Sequence, residues 1–154
     1  TLVYEQMAST YGRRKLECEA IVLSEALAPV IFRPGILLGP YMRQNNITRL
    51  LSRSPHPLTL SRESSYYCVG YSNVMDAIFS AIDGALDGIV NLIPKAQVTL
   101  GEIAEVFSTR AEFGSFLYSP PLLSNRKLVD CLKYFPLSSM EVVKDTFAKG
   151  DIPV

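Results

Sequence analysis

A tyrosine and a lysine four residues apart, Tyr11 and Lys15 in STYGRRKLECEAIV (residues 9–22), are the pair in this chain best placed for proton chemistry. On a helix, positions i and i+4 lie on one face, so both side chains can reach a common ligand. A free phenol, with a pKa of about 10, is a poor acid or base at neutral pH. A neighbouring ammonium stabilises the phenolate and draws the pKa down toward the working range. A tyrosine tuned in this way can pass a proton to or from a substrate hydroxyl while a hydride leaves the same carbon. The ammonium can also hold a sugar hydroxyl of a bound cofactor. The plainer alternative is that Tyr11 packs at a helix start while Lys15 lies in solvent. Spacing alone favours that alternative, so the decision rests on what surrounds the pair.

The elements that must position these groups follow from patterning. Ser9 or Thr10 can cap a helix, because a hydroxyl there accepts a bond from an orphan amide of the first turn. Leu16, Ala20, Val22, Leu23 and Leu27 then recur at helical spacing, with Arg13, Arg14, Glu17 and Glu25 on polar faces, until Ala28-Pro29 ends the run. Val30–Phe32 is a short apolar run without alternation, as expected of a strand covered on both sides. It leads into Arg33-Pro34-Gly35 and a second turn at Gly39-Pro40. NNITRLLSR reads as a short helix capped by Asn45 or Asn46, PLTL as a short strand, and residues 61–65 as a polar loop. YYCVGY reads as another strand, and Ser72 or Asn73 caps VMDAIFSAIDGAL, whose Val74, Ile78, Ala81 and Ile82 share a face. Gly88 opens the strand IVNLI. Thr99 with Glu102 three residues on forms a capping box, and SNRKLVDCLKYF and SSMEVVKDTFAK are two helices joined through Pro136. Helix, buried strand, helix, buried strand and helix describe part of a parallel α/β sheet.

Composition narrows the field. The 154 residues suffice for one domain with a core, and 48% apolar with 19% charged residues fits a soluble globular protein. Fifteen basic residues balance fifteen acidic ones, so no net field points toward nucleic acid or an anionic membrane. No apolar run is long enough to span a bilayer, and TLVYEQMAST lacks the features of a signal peptide. Cys18, Cys68 and Cys131 are odd in number and widely spaced, which predicts reduced core thiols and a cytoplasmic protein rather than disulfides or a zinc site. His56, the single histidine, lies between prolines in a loop, so metal clusters and Ser-His-Asp triads are poor bets.

YGRRKLECE followed by VIFRPGILLGP resembles the extended short-chain dehydrogenase/reductase family, the NAD-dependent epimerases and dehydratases. In that family a Tyr-x-x-x-Lys helix precedes a strand reading Arg-Pro-Gly-x-x-x-Gly-Pro. PLTL, YYCVGYSNVMDAI and GIVNLIPKAQVTLGEIAEVF follow the family's order of substrate-domain strand, helix, final sheet strand and helix. Leu2–Tyr4 is similar to the end of the strand that precedes the catalytic tyrosine. The resemblance implies an α/β fold: the later part of a Rossmann-like parallel sheet plus a small α/β substrate-binding domain. Residues 1–40 would supply the catalytic helix and following strand, 41–71 mainly substrate-binding structure, 72–98 a helix and the final sheet strand, and 99–154 the C-terminal helical substrate-binding portion.

It further implies NAD or NADP as cofactor and a nucleotide sugar, or another small alcohol or carbonyl compound, as substrate. Tyr11 would be the catalytic acid/base and Lys15 its partner and a ligand of the nicotinamide ribose. Thr1 would stand at or beside the catalytic hydroxyl position, and Pro34, Gly35 and Ile36 would line the nicotinamide end of the cofactor site. Asn46 matches a substrate-phosphate position at a helix start, or is an ordinary cap. Leu58 to Leu60 would offer backbone groups to the nucleotide base. The glycine-rich phosphate motif of the family is absent and is expected upstream of Thr1. The chain therefore reads as a C-terminal portion, inactive alone, that associates with the missing half or with another copy. Ile36, Leu38 and Tyr66 stand where many sugar-nucleotide members have Asn, Tyr and Arg, and Ser72-Asn73 replaces an acidic pair. Those departures keep two other readings open: a reductase of an apolar or steroid-like alcohol, and a non-catalytic binding relative.

Overall fold

The computed structural model describes residues 9–52, 57–84, 86–132 and 138–152. Thr1, Leu2–Tyr4, His56 and Pro136 lie outside the described residues. Helix α1 (Thr10–Glu25) is capped by Ser9, whose hydroxyl accepts the Gly12 N–H at 3.1 Å. It ends at Glu25, three residues before Ala28-Pro29. Strand β1 (Val30–Pro34) follows, then β2 (Ile36–Leu38), helix α2 (Asn46–Leu51), and strands β3 (Ser65–Tyr66) and β4 (Cys68–Gly70). Helix α3 (Tyr71–Ile82), β5 (Gly88–Leu92), β6 (Val98–Thr99), α4 (Leu100–Val106), α5 (Arg126–Cys131) and α6 (Ser139–Ala148) complete the order.

The strands form three pairs. β1 runs parallel to β5 with Val30 opposite Gly88 and Pro34 opposite Leu92. β2 runs parallel to β4, and β3 antiparallel to β6. The chain passes from the first pair to the second at Gly35. Its N–H donates to the Leu92 carbonyl at 3.2 Å, and the next N–H, of Ile36, donates to the Tyr67 carbonyl at 2.7 Å. A Cβ at position 35 would collide with the Tyr67 backbone, so glycine is required there.

Two apolar clusters fill the interior. One joins Leu38, Ile47, Leu50, Cys68, Val98, Leu100, Ile103, Val143 and Ile152. The other joins Val69, Ala77, Leu86, Val90, Leu92 and Leu128. Cys68 and Val69 fall in different clusters because successive strand residues point to opposite faces. Three capping boxes hold the short helices: Asn45 with Thr48, Thr99 with Glu102, and Ser138 with Glu141.

Several expectations are corrected. PLTL makes no strand; Leu60 forms an isolated bridge to Phe116. YYCVGY is broken at Tyr67, whose carbonyl turns to Ile36, and Tyr71 already belongs to α3. Gly70 is the cap residue of α3, and Asn73 is the third helical residue, its Oδ1 accepting the Gly70 N–H at 3.1 Å. On α3, Val74 and Ala81 pack inward but Ile82 is exposed. Only Cys68 is a core thiol; Cys18 and Cys131 are exposed. On α1 the apolar positions exist but no residue is buried.

Ser139 is fully buried and bridges two segments: its hydroxyl accepts the Cys68 N–H at 3.0 Å and donates to the Ala96 carbonyl at 2.7 Å. Ser139→Ala leaves the buried Cys68 N–H without a partner, while the Ala96 carbonyl keeps the backbone N–H of residue 139, and is expected to lower stability by about 1–3 kcal/mol, measured by urea or thermal melts. Burial also pushes the Cys68 thiol far above its ordinary range. The folded thiol thus keeps its proton where the unfolded one releases it, so this group costs stability as pH rises above about 8.5. Iodoacetamide at pH 8 is expected to modify Cys18 and Cys131 in the native protein, and Cys68 only after denaturation. Mass spectrometry of the labelled peptides checks this.

Candidate active site

The first turn of α1 presents Tyr11 and Lys15 together. Lys15 Nζ lies 5.6 Å from the centre of the Tyr11 ring, a cation–π contact between side chains one helical turn apart. Tyr11 is 73% exposed. Because α1 buries none of its own residues, polar ties must hold it. Glu19, on the second half of the helix, accepts from Arg33 of β1: the Arg33 Nε donates to its two oxygens at 2.9 and 3.2 Å and Nη2 makes a further bond to Oε2. The hydrogen bonds that Arg33 donates to Glu19 raise the Arg33 pKa further. This paired fork fixes the helix to the strand that ends in Pro34-Gly35.

At that strand end lies a cleft of about 500 Å³, lined by Arg33, Pro34, Gly35 and Ile36 on one side and Tyr66, Tyr67, Asn91, Ile93, Tyr118, Pro120 and Leu123 on others. It sits at the carboxyl ends of β1 and β5, where open parallel sheets place their ligands. Tyr66 is stacked on Tyr118 with ring centres 5.1 Å apart and accepts a hydrogen bond from Asn46 Nδ2 at 2.8 Å. The wall formed by residues 118–125 has no regular structure and is tied by side chains. Tyr118 N–H donates to Ser64 Oγ, Gln97 Nε2 to the Pro120 carbonyl, Leu123 N–H to the Tyr67 hydroxyl, and Asn91 Nδ2 to the Ser124 carbonyl, at 3.0, 3.2, 3.2 and 3.0 Å.

Known structures share this fold. No protein-family model and no curated protein matches the chain. Among solved structures, ADP-L-glycero-D-manno-heptose-6-epimerase from Helicobacter pylori superimposes with a TM-score of 0.73 at 18% identity, covering 92% of this chain and 50% of that one. UDP-glucuronic acid 4-epimerase from Bacillus cereus, in complex with UDP-glucuronic acid and NAD, gives 0.67 at 16% identity, with 91% and 52% covered. RMD from Pseudomonas aeruginosa, complexed with NADPH, gives 0.66 at 15% identity, with 92% and 57% covered. The chain shares the fold of the matching part of these structures. It spans about half the length of the structures it matches.

Within this fold the structure sorts the expected site residues. Pro34, Gly35 and Ile36 line the cleft together. Tyr11 and Lys15 face each other on α1 and are not among the lining residues. Asn46 is the first residue of α2 rather than its cap, which is Asn45, and its Nδ2 donates to the Tyr66 hydroxyl at 2.8 Å. The Leu58 N–H donates to the Glu112 carbonyl and the Leu60 carbonyl accepts from Gly114 N–H, so both backbone groups are engaged within the chain. Thr1 is outside the described residues. Sequence reasoning missed Tyr67, Asn91, Tyr118 and Leu123. Asn91 carries the one available signal, a lone amide inside the apolar strand IVNLI. Among the described residues, no group of His, Cys, Asp and Glu side chains is arranged to hold a metal ion, and no helix is long and apolar enough to cross a membrane.

The Arg33–Glu19 tie is open to test. Glu19→Gln removes the charge from a half-buried fork, a loss of about 1 kcal/mol. Hydrogen exchange of the α1 amides is then expected to speed up about fivefold, with β1 and β5 amides unchanged.

Proposed function

We propose that this chain is the later, catalytic and substrate-binding portion of an NAD(P)-dependent oxidoreductase or epimerase acting on a nucleotide sugar. The observation that carries the reading is the joint presence of three things: the fold, the facing Tyr11 and Lys15 on α1, and a cleft that opens where the adjoining strand ends in Pro34-Gly35. Heptose and UDP-sugar epimerases with the same fold, and bound NAD or NADPH in two of the solved structures, support the cofactor and substrate class.

The residues present fit the nicotinamide end of a dinucleotide. Pro34, Ile36 and Ile93 give apolar walls, Tyr66 and Tyr118 give ring surface, and the volume suits a small ring with part of a substrate. Pro34, Gly35 and Ile36 would border the nicotinamide, and Lys15 Nζ would hold the ribose hydroxyls. When bound, the cofactor supplies a hydride acceptor or donor. Tyr11 would take the proton from the substrate hydroxyl, or return it to the carbonyl oxygen, at its Oη. Lys15, as a cation beside the ring, stabilises the phenolate that results. The partner is a small molecule; the balanced charge suits neither nucleic acid nor a membrane surface.

In the natural protein that carries this chain, Tyr11→Phe removes the proton carrier and leaves the cofactor's other contacts. Turnover is expected to fall about 10²- to 10⁴-fold while the Kd for NAD(H) or NADP(H) stays within about twofold. Stopped-flow or steady-state kinetics with fluorescence titration of the cofactor reads both. Turnover equal to wild type would show that the proton moves elsewhere.

A further inference from the structure

Tyr66 occupies an unusual position. It is 9% exposed, almost entirely in the core, yet it lines the cleft. Its ring is clamped against Tyr118, and its oxygen accepts the Asn46 amide hydrogen at 2.8 Å. A phenolic hydroxyl has one proton to give, and among the described residues no acceptor takes it. Burial pushes the Tyr66 phenol up more strongly than the bond from Asn46 brings it down. The group therefore keeps its proton at neutral pH and is available as a donor.

The charge balance of the cleft decides what it donates to. Arg33 is the one charged residue among those that line the cleft, and Glu19 pairs with its guanidinium. A phosphate placed beside Tyr66 would meet an already neutralised cation and three aromatic rings. An uncharged oxygen meets what it needs: one hydrogen-bond donor and ring surface for the carbons that carry it.

We infer that Tyr66 is a specificity-determining residue whose hydroxyl donates to an uncharged oxygen of the substrate (hydroxyl, ring ether or carbonyl), and that Asn46 is a positioning residue acting through Tyr66. The inference rests on the reading of the cleft as the substrate site. It gives Asn46 a different role from phosphate binding: its amide orients the phenol, and the phenol touches the ligand. The substrate's neutral ring, not its phosphate, is read at this wall.

The test uses the natural protein with its tyrosines labelled at Cζ with carbon-13, cyclohexanone as a neutral-oxygen probe and inorganic pyrophosphate as an anionic one. Cyclohexanone is expected to shift the Tyr66 resonance, assigned through Tyr66→Phe, and pyrophosphate to leave it in place. Tyr66→Phe keeps the ring and its packing. It is expected to weaken cyclohexanone binding about fivefold, the effect of one neutral hydrogen bond, with its thermal melt close to wild type. Asn46→Ala is expected to weaken the probe about two- to fivefold and to move the Tyr66 resonance, and to have no effect in the Tyr66→Phe background. A Tyr66 resonance that ignores cyclohexanone, a response to pyrophosphate instead, or unchanged ketone affinity in Tyr66→Phe overturns the inference. Equal losses from Asn46→Ala in both backgrounds overturn the positioning role. A silent Tyr66 beside a turnover loss in Tyr11→Phe sinks this inference alone; a responsive Tyr66 beside unaltered turnover in Tyr11→Phe sinks only the catalytic reading.

Discussion

The structure turns on two consecutive backbone hydrogen bonds of opposite direction. Gly35 N–H binds the Leu92 carbonyl of β5, and Ile36 N–H binds the Tyr67 carbonyl between β3 and β4. Through them one short strand region is paired on one edge with β5 and on the other with β4, as β1·β5 and then β2·β4. The cleft opens at the carboxyl ends of β1 and β5, beside this exchange of partners. Gly35 is fixed by the close approach of its backbone to Tyr67, and Pro34, which has no N–H, is followed by the Gly35 N–H that donates to β5. The two apolar clusters also divide here, at Cys68 and Val69 on the strand that β2 joins.

Elements whose signal is local were legible in the sequence. Ser9 caps α1, Thr99 and Glu102 box α4, and IVNLI supplies a strand, because each depends on residues within one turn or one run; the strands expected to be buried are covered only in part, since Ile89 of β5 is exposed and β1 buries none of its residues. Spacing also placed Tyr11 and Lys15 on one helical face. What escaped depends on partners far along the chain. Tyr67 leaves the strand pattern because its carbonyl is claimed by Ile36, thirty-one positions earlier, and nothing in YYCVGY announces it. The cleft wall at residues 118–125 has no periodicity to read; amides and hydroxyls from Ser64, Tyr67, Asn91 and Gln97 hold it. The same applies to Asn46, whose type and place suit a cap, a phosphate ligand or a tyrosine's partner. Only the position of Tyr66 separates them.

Helix α1 shows where packing and chemistry conflict. An amphipathic helix normally owes its stability to the face it buries, yet Ile21, Val22, Leu23 and Leu27 are all exposed. The fork between Glu19 and Arg33 orients the helix against β1 without burying that face. Two consequences follow from one cause. The uncovered stripe is surface that another element or molecule can occupy, and the Tyr11–Lys15 end of the helix remains in water.

Water at that end limits the chemistry. The attraction between opposite charges a few ångströms apart is severalfold weaker in bulk solvent than where water is excluded. The side chains already share the geometry, with the ammonium over the ring, so drying the site is what remains. A cofactor ring laid against Pro34 and Ile36, with its ribose on Lys15, would exclude water from the tyrosine in the act of binding. Under the proposed reading, then, cofactor binding and acid–base competence are one event: the pair is arranged by the helix and becomes reactive only when its open side is covered.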